Sequence, residues 1–225
     1  MDKVGEDTLL IMKKAKWYNF WLLSLFSKYL KGNILEVGSG IGNFSNLLKA
    51  YGNMTAIDVG KNYLDKYKMK GINFGFGDIE SGKYFFKKIQ FNSIVCLNVI
   101  EHIKNDKEAF RNIYKLLKKE GVAIILVPAH MMLFSEYDKR LGHFRRYNNS
   151  DLSTEVKDMG FKIIESRYIN WWGAIGWFVF MKLFKRSDFP EKEISIFDRL
   201  GKYLLWLEKI VKIPFGLSIL LIIKK

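Results

Sequence analysis

The run Ile34-Leu35-Glu36-Val37-Gly38-Ser39-Gly40-Ile41-Gly42 constrains this chain more than any other stretch. Its first four residues read as a short buried strand, after which Gly38, Gly40 and Gly42 recur at alternate positions. Glycine has no Cβ, so the turn can take left-handed backbone angles and let a ligand approach its N–H groups closely. The segment through Phe44–Leu48 reads as a helix that presents its N-terminus to the same space. Strand, glycine turn and helix in this order belong to an open α/β sheet, which binds ligands at the carboxyl ends of its strands.

The remaining pattern agrees. Apolar runs at Met54–Asp58, Ile72–Phe76, Ser93–Leu97 and Val122–Val127 alternate with helical segments near Tyr63–Met69 and Glu108–Lys118. That alternation predicts a mostly parallel sheet covered on both faces, a Rossmann-like three-layer αβα sandwich. Phe161–Ile169 and Leu217–Ile223 read as two further strands, and Tyr18, Leu22, Leu25 and Tyr29 mark one face of a helix over 8–30. With 225 residues, three prolines and no repeat or polar linker, one domain is expected. Its parts are a helical segment (1–31), a ligand-binding core (32–170), a helical insertion (171–213) and a final strand (214–225). An aromatic fraction of 16% excludes a disordered chain. The single cysteine, Cys96, sits in an apolar run and reads as a core filler.

Two carboxylates sharpen the ligand. Asp58 ends the second strand, placed for two ribose hydroxyls, and Asp78 follows the third strand in Gly77-Asp78-Ile79, where it suits an adenine amine. The dinucleotide fingerprint G-x-G-x-x-G would put its third glycine at Asn43. Here the spacing is G-x-G-x-G with Glu36 before it, so S-adenosylmethionine suits the site better than a pyrophosphate cofactor.

Over about Ile34–Tyr168 the sequence resembles the seven-stranded, class I S-adenosylmethionine-dependent methyltransferases. Leu35–Gly42 looks like the family's first motif, and Asp58 like its ribose-binding acid. Gly77-Asp78-Ile79 resembles the adenine site, with Ile79 packing or offering its N–H. Asn98-Val99-Ile100-Glu101-His102-Ile103 resembles the segment that lines the methionine end. The resemblance implies an antiparallel last strand and a cofactor set of Glu36, Gly38, Ser39, Gly40, Gly42, Asp58, Asp78, Ile79 and Asn98. The stretch from Val127-Pro128-Ala129 to Arg145-Arg146-Tyr147 resembles one subgroup of these enzymes, of largely unassigned substrate.

Methyl transfer is an in-line displacement on a good leaving group, so orientation supplies much of the rate, and a base is needed only where the acceptor loses a proton. Candidates lie in the loop after the fifth strand: His143 as a general base, Tyr147 as a second catalytic group, and Arg145 and Arg146 gripping an anionic acceptor. His102 is expected on the acceptor side. Glu101 and His102 resemble an acidic–histidine pair that quinone-type methyltransferases carry here, which would suit a metal, but the sequence shows no accompanying ligand set, so helix capping and cofactor-side packing are favoured and no metal is expected.

The insertion carries Trp171, Trp172, Trp177 and Trp206 among Lys182, Lys185, Arg186, Lys202, Lys209 and Lys212. It reads either as helices packing on the core or on a second copy as a homodimer, or as a surface for membrane lipid. The expected acceptor is a small, apolar or lipid-linked molecule, with O-methylation favoured. The net charge of +14 is spread along the chain, which makes a nucleic-acid partner a weaker expectation, and an RNA methyltransferase or a non-catalytic partner subunit is the alternative. Early charges at Asp2, Lys3, Glu6 and Asp7, with no apolar leader, suggest the cytoplasm, peripherally at the membrane's inner face.

Overall fold

Apolar residues alternate between two faces along the central strands, and this alternation sets the layers. In the computed structural model, which describes residues 3–60, 62–63, 70–184, 186, 198–199, 201, 203, 208 and 213–225, eight strands form one sheet. They are β1 (Asn33–Val37), β2 (Asn53–Asp58), β3 (Asn73–Asp78), β4 (Lys83–Tyr84), β5 (Phe91–Leu97), β6 (Leu117–Pro128), β7 (Lys162–Ile169) and β8 (Ser218–Lys224). Their spatial order is β4-β3-β2-β1-β5-β6-β8-β7. β1, β2, β3, β5 and β6 pair in parallel, whereas β8 runs antiparallel to both β6 and β7. The antiparallel last strand expected from the sequence is therefore present. The two-residue β4, antiparallel to β3, is an addition to the seven strands expected.

In β6, Ala123, Ile125 and Val127 face one core layer and Val122, Ile124 and Leu126 the other. β8 divides likewise, with Ile219, Leu221 and Ile223 on the first face and Leu220 and Ile222 on the second. β8 lies between two partners and is buried on both sides, which is why its sequence is continuously apolar.

Among the described residues, the helices that can be followed from end to end are α1 (Lys3–Lys14), α2 (Lys16–Phe26), α3 (Ser45–Leu48), α4 (Asp106–Leu116), α5 (Glu136–Arg140), α6 (Asn149–Asp158) and α7 (Trp171–Trp177). α2 covers one face through Trp21, Leu22 and Phe26. α4 and α6 cover the other through Phe110, Ile113, Leu152 and Val156.

Three expectations need correction. The helix over 8–30 is two helices, broken at Ala15 (φ −76°, ψ 64°), and α2 has no side-chain cap of its own at Ala15. The carboxylate of Asp198 instead accepts from the Tyr18 N–H at 2.8 Å. The helix expected through Lys118 stops at Leu116, and β6 begins at once with a bulge, its register against β5 jumping from Leu117 to Val122. α6 was not anticipated: only Leu152 and Val156 are buried on it, too few to show a period.

The helix expected near Tyr63–Met69 lies mostly outside the described residues, as does the pattern Phe197, Leu200, Leu204, Leu207 and Val211. In the insertion, Asn170 caps α7 by accepting from the Gly173 N–H, and Glu208 accepts from the Asn170 and Trp171 N–H groups at 2.9 and 2.7 Å. α7 continues as a π-helix over Phe178–Leu183. Among the described residues, no helix is long and apolar enough to cross a membrane.

Candidate functional site

At the carboxyl end of β1, Gly38, Gly40 and Gly42 have φ of 71°, 52° and 80°, the left-handed region that the sequence demanded of them. The close approach at two of them is made by the protein itself. A Cβ at position 38 would stand 2.3 Å from Val99 Cγ2, and one at position 40 would stand 2.8 Å from Leu9 Cδ1. α1 thus lies against the loop, where the Asn43 amide donates to the Leu9 carbonyl at 2.9 Å. From its other side α1 meets α5, through the hydroxyls of Thr8 and Tyr137. The helix expected to present its N-terminus here starts only at Ser45 and spans four residues.

Asp58, at the end of β2, holds the loop. One carboxylate oxygen accepts from the Gly40 N–H and the other from the Gly60 N–H, both at 2.7 Å. Burial pushes its pKa up, and these amides pull it back. The Ser39 hydroxyl is buried beside them with no partner among the described residues.

Glu36 is buried beneath the loop and accepts from the Ser45 hydroxyl. Burial pushes its pKa up to about 8; the Ser45 bond opposes the rise and the charge of Asp58 adds to it. Because the folded value exceeds the ordinary 4.5, the native state holds a proton that the unfolded chain has released between those values. Stability should therefore fall as pH rises through this window, by at most about 1.4 kcal/mol per pH unit from this group. Glu36→Gln is expected to make denaturant-melt stability less steep between about pH 5 and about pH 8. An unchanged slope would remove the burial argument.

Asp78 ends β3, the strand beside β2, and its Oδ1 accepts from the Glu80 N–H at 2.9 Å and the Ser81 N–H at 3.3 Å. That turn stands at the same edge of the sheet as Asp58. The Ile79 side chain points into the core and its carbonyl is taken by the Asn112 amide at 3.0 Å. Asn98 is exposed just past β5 with φ 53°, anchored by its N–H on the Leu126 carbonyl.

The acceptor side is built by the turn after β5 and the loop after β6. Glu101 and His102 occupy a 3₁₀ turn (Ile100–His102), and the Glu101 carbonyl accepts from the Phe144 N–H at 2.8 Å, drawing the loop over the turn. His143 then packs edge-to-face on His102, ring centroids 4.6 Å apart. His143 Nδ1 lies 3.0 Å from Asp138 Oδ1. Asp138 also receives Arg146 Nε at 2.9 Å and Nη2 at 3.1 Å, and the Ser135 N–H and hydroxyl at 2.8 Å each. Burial works to raise the Asp138 pKa, but the His143 bond, the Arg146 charge and the Ser135 bonds hold it below the ordinary value. Burial and the neighbouring His143 bring the His102 pKa down to about 4, so this ring is neutral.

Three residues expected to act on the acceptor are otherwise engaged. Arg146 is buried against Asp138 and over the Trp177 ring, 4.7 Å from its centroid. Arg145 pairs with Asp106 at 2.6 Å and donates to the Lys104 carbonyl. Tyr147 is buried, its hydroxyl 2.9 Å from Asp106 and 3.3 Å from the Ile100 carbonyl. Burial first, then the Asp106 charge, drives its pKa far up, which leaves a poor proton acceptor and a good loop anchor. Asp138 was missed, although Ser135-x-x-Asp138 is a capping-box signal and the box is formed.

A family model described as a methyltransferase domain matches residues 16–166. The chain is 27% identical over 164 residues to an uncharacterized protein of Methanocaldococcus jannaschii, covering 71% of this chain and 70% of that one. It is 32% identical over 102 residues to a ubiquinone biosynthesis O-methyltransferase of Rickettsia bellii, covering 41% of this chain and 40% of the relative. The chain therefore spans about two fifths of that enzyme's length. A crystal structure of a SAM-dependent methyltransferase from Archaeoglobus fulgidus superposes with a TM-score of 0.63 at 17% identity, covering 94% of each chain.

Proposed function

The chain belongs to the methyltransferase-domain family and is an S-adenosylmethionine-dependent enzyme, and we propose that it methylates an oxygen of a small, apolar or lipid-linked acceptor. When bound, that cofactor supplies a methyl group on a sulfonium. The residues fit it: the Ser39 hydroxyl is buried without a partner among the described residues, and the Asp58 carboxylate spends one lone pair per oxygen on the loop amides. Asp58 would hold the ribose and Asp78 the adenine amine. The loop Gly38, Ser39, Gly40 and Gly42, with Glu36 beneath it and Asn98 across from it, would hold the methionine end. Ile79, its side chain in the core, has its backbone N–H to offer.

The observation that carries oxygen as the acceptor atom is the pairing of His143 with Asp138. A carboxylate at Nδ1 fixes the neutral tautomer with the proton on that nitrogen, leaving the Nε2 lone pair to meet an acceptor hydroxyl, the role expected of His143. The resemblance to a quinone-pathway O-methyltransferase over 102 residues supports the same chemistry. His102 lines the approach.

A lipid-linked acceptor is supported by the surface beside this site. Met131, Met132, Phe178, Leu183 and Phe184 are exposed, and Trp177 and Lys182 bind the Leu133 and Phe134 carbonyls, joining the π-helix to the loop. Apolar side chains with lysines among them suit a water–lipid boundary.

The test incubates the enzyme with methyl-labelled cofactor and fractionated cell lysate. Label is expected in a solvent-extractable small-molecule fraction, with stoichiometric S-adenosylhomocysteine. Label in RNA instead, with steep salt dependence, would replace this reading. Absence of S-adenosylhomocysteine from every fraction would point to a partner subunit.

A further inference from the structure

β7 is an edge of the sheet. It runs for eight residues without a proline, pairs with β8 on one side, and has no strand on the other among the described residues. Its start is blunted by Lys162 and by a bulge between Ile163 and Glu165, but from Glu165 to Ile169 its register is regular. A regular open edge is a row of unpaired N–H and C=O groups, a template for another strand. Native edges are commonly guarded by lysines, which repel a second edge of the same kind. The regular part of β7 carries charges of opposite sign instead. Arg167 Nε lies 2.6 Å from Glu165 Oε1, and the two side chains are 24% and 25% exposed.

We propose that β7 is a self-recognition edge, through which two copies of this chain pair antiparallel about a two-fold axis at Ser166. In an antiparallel pair the outward-facing backbone groups belong to alternate residues on each strand, so the axis must pass through a residue and not between two. An axis at Glu165 or at Arg167 would set that charge directly against itself, which is unfavourable. An axis at Ser166 sets Glu165 opposite Arg167 of the second copy, and Arg167 opposite its Glu165. The four charges then alternate in sign around the axis. Read backwards, Glu165-Ser166-Arg167 is its own complement, and this selects a second copy over an unrelated strand.

The other face of the strand fits the same register. The Ser166 hydroxyl accepts from Ser153 at 3.2 Å and donates to the Asn149 side-chain oxygen, so α6 is tied to the strand at the axis. A groove of about 570 Å³ runs between them, lined by Asn149, Ser153, Lys157, Ile164 and Ser166. Ile164, 40% exposed, would lie beside it opposite Tyr168 of the second copy. Strand pairing with this groove makes a small interface, so a dissociation constant of roughly micromolar order is expected.

This pairing goes beyond the methyl-transfer reading and does not depend on it. It does reach the acceptor side, because β7 leads through Asn170 into α7 and the Tyr168 ring stacks on His130 after β6, centroids 4.5 Å apart. A second strand on β7 braces that wall.

Sedimentation velocity of the full-length protein over a concentration series is the test, with circular dichroism melts reporting the fold of each variant. The wild type should pass from monomer to dimer as concentration rises. Glu165→Arg sets arginines opposite one another and should weaken the dimer by about 10-fold or more. Combining it with Arg167→Glu restores the alternation and should bring the dimer back. If Glu165→Arg does not fold, Arg167→Glu alone, which opposes two glutamates, takes its place. A wild type that stays monomeric throughout overturns the proposal. So does a dimer indifferent to the single reversals, since its interface then lies elsewhere, or a folded double variant that remains as weak as the single one.

Discussion

Replacing Asp138 by alanine is expected to lower folding stability by about 3–5 kcal/mol, because it strands a buried cation. The Arg146 and Asp138 side chains are 2% and 0% exposed. Removing the carboxylate leaves the guanidinium with the Ala129 carbonyl, the face of Trp177 and the Glu101 carboxyl, whose own burial pushes its pKa up to about 8 and keeps it protonated at neutral pH, so none of these neutralises it. The same change frees the Ser135 cap of α5 and unfastens His143. A double variant, Asp138→Leu with Arg146→Met, removes both charges and should recover much of the loss, since no ion then remains to be desolvated. Urea denaturation of the three proteins measures both numbers. A single-variant cost below about 1 kcal/mol would mean that the pair behaves like an exposed one and does not fix the loop.

That pair also shows where the sequence ran out. The strands were legible because β1, β2, β5, β6 and β8 carry apolar runs, with β1, β2 and β6 closed by Gly38, Asp58 and Pro128, and the glycine loop because three positive-φ positions leave a visible spacing. Asp58 was legible as the acid ending the second strand. Burial was not. Arg145-Arg146-Tyr147 has the composition of a ligand grip, and only tertiary contact reveals that Asp106 and Asp138 have claimed all three side chains. Long-range partners were equally hidden: Asp198 at the start of α2, Leu9 against Gly40, and His143 over His102 join segments with no common period. The break at Ala15 follows from the first of these, since its capping group comes from another segment altogether. Propensity within a window cannot report a cap supplied from outside it.

Asp58→Ala should weaken binding of S-adenosylhomocysteine by about 1–3 kcal/mol, roughly 5- to 150-fold in Kd. Two losses combine in that figure, and they can be separated. The carboxylate is expected to accept from ribose hydroxyls, and it also ties the Gly40 loop to Gly60 through amide bonds of 2.7 Å. Asp58→Asn keeps an acceptor oxygen for one amide but turns an NH2 group toward the other, so it strains the tie while removing the charge. If the ligand bond dominates, both variants lose affinity, with the deficit carried in binding enthalpy while the unliganded melts change little. If the tie dominates, Asp58→Ala lowers the unliganded Tm, and its affinity loss shrinks on cooling as the loop re-forms. An affinity equal to wild type in both variants would remove Asp58 from the cofactor site. The glycine loop, with Leu9 and Val99 already packed against it, would then be explained by packing alone.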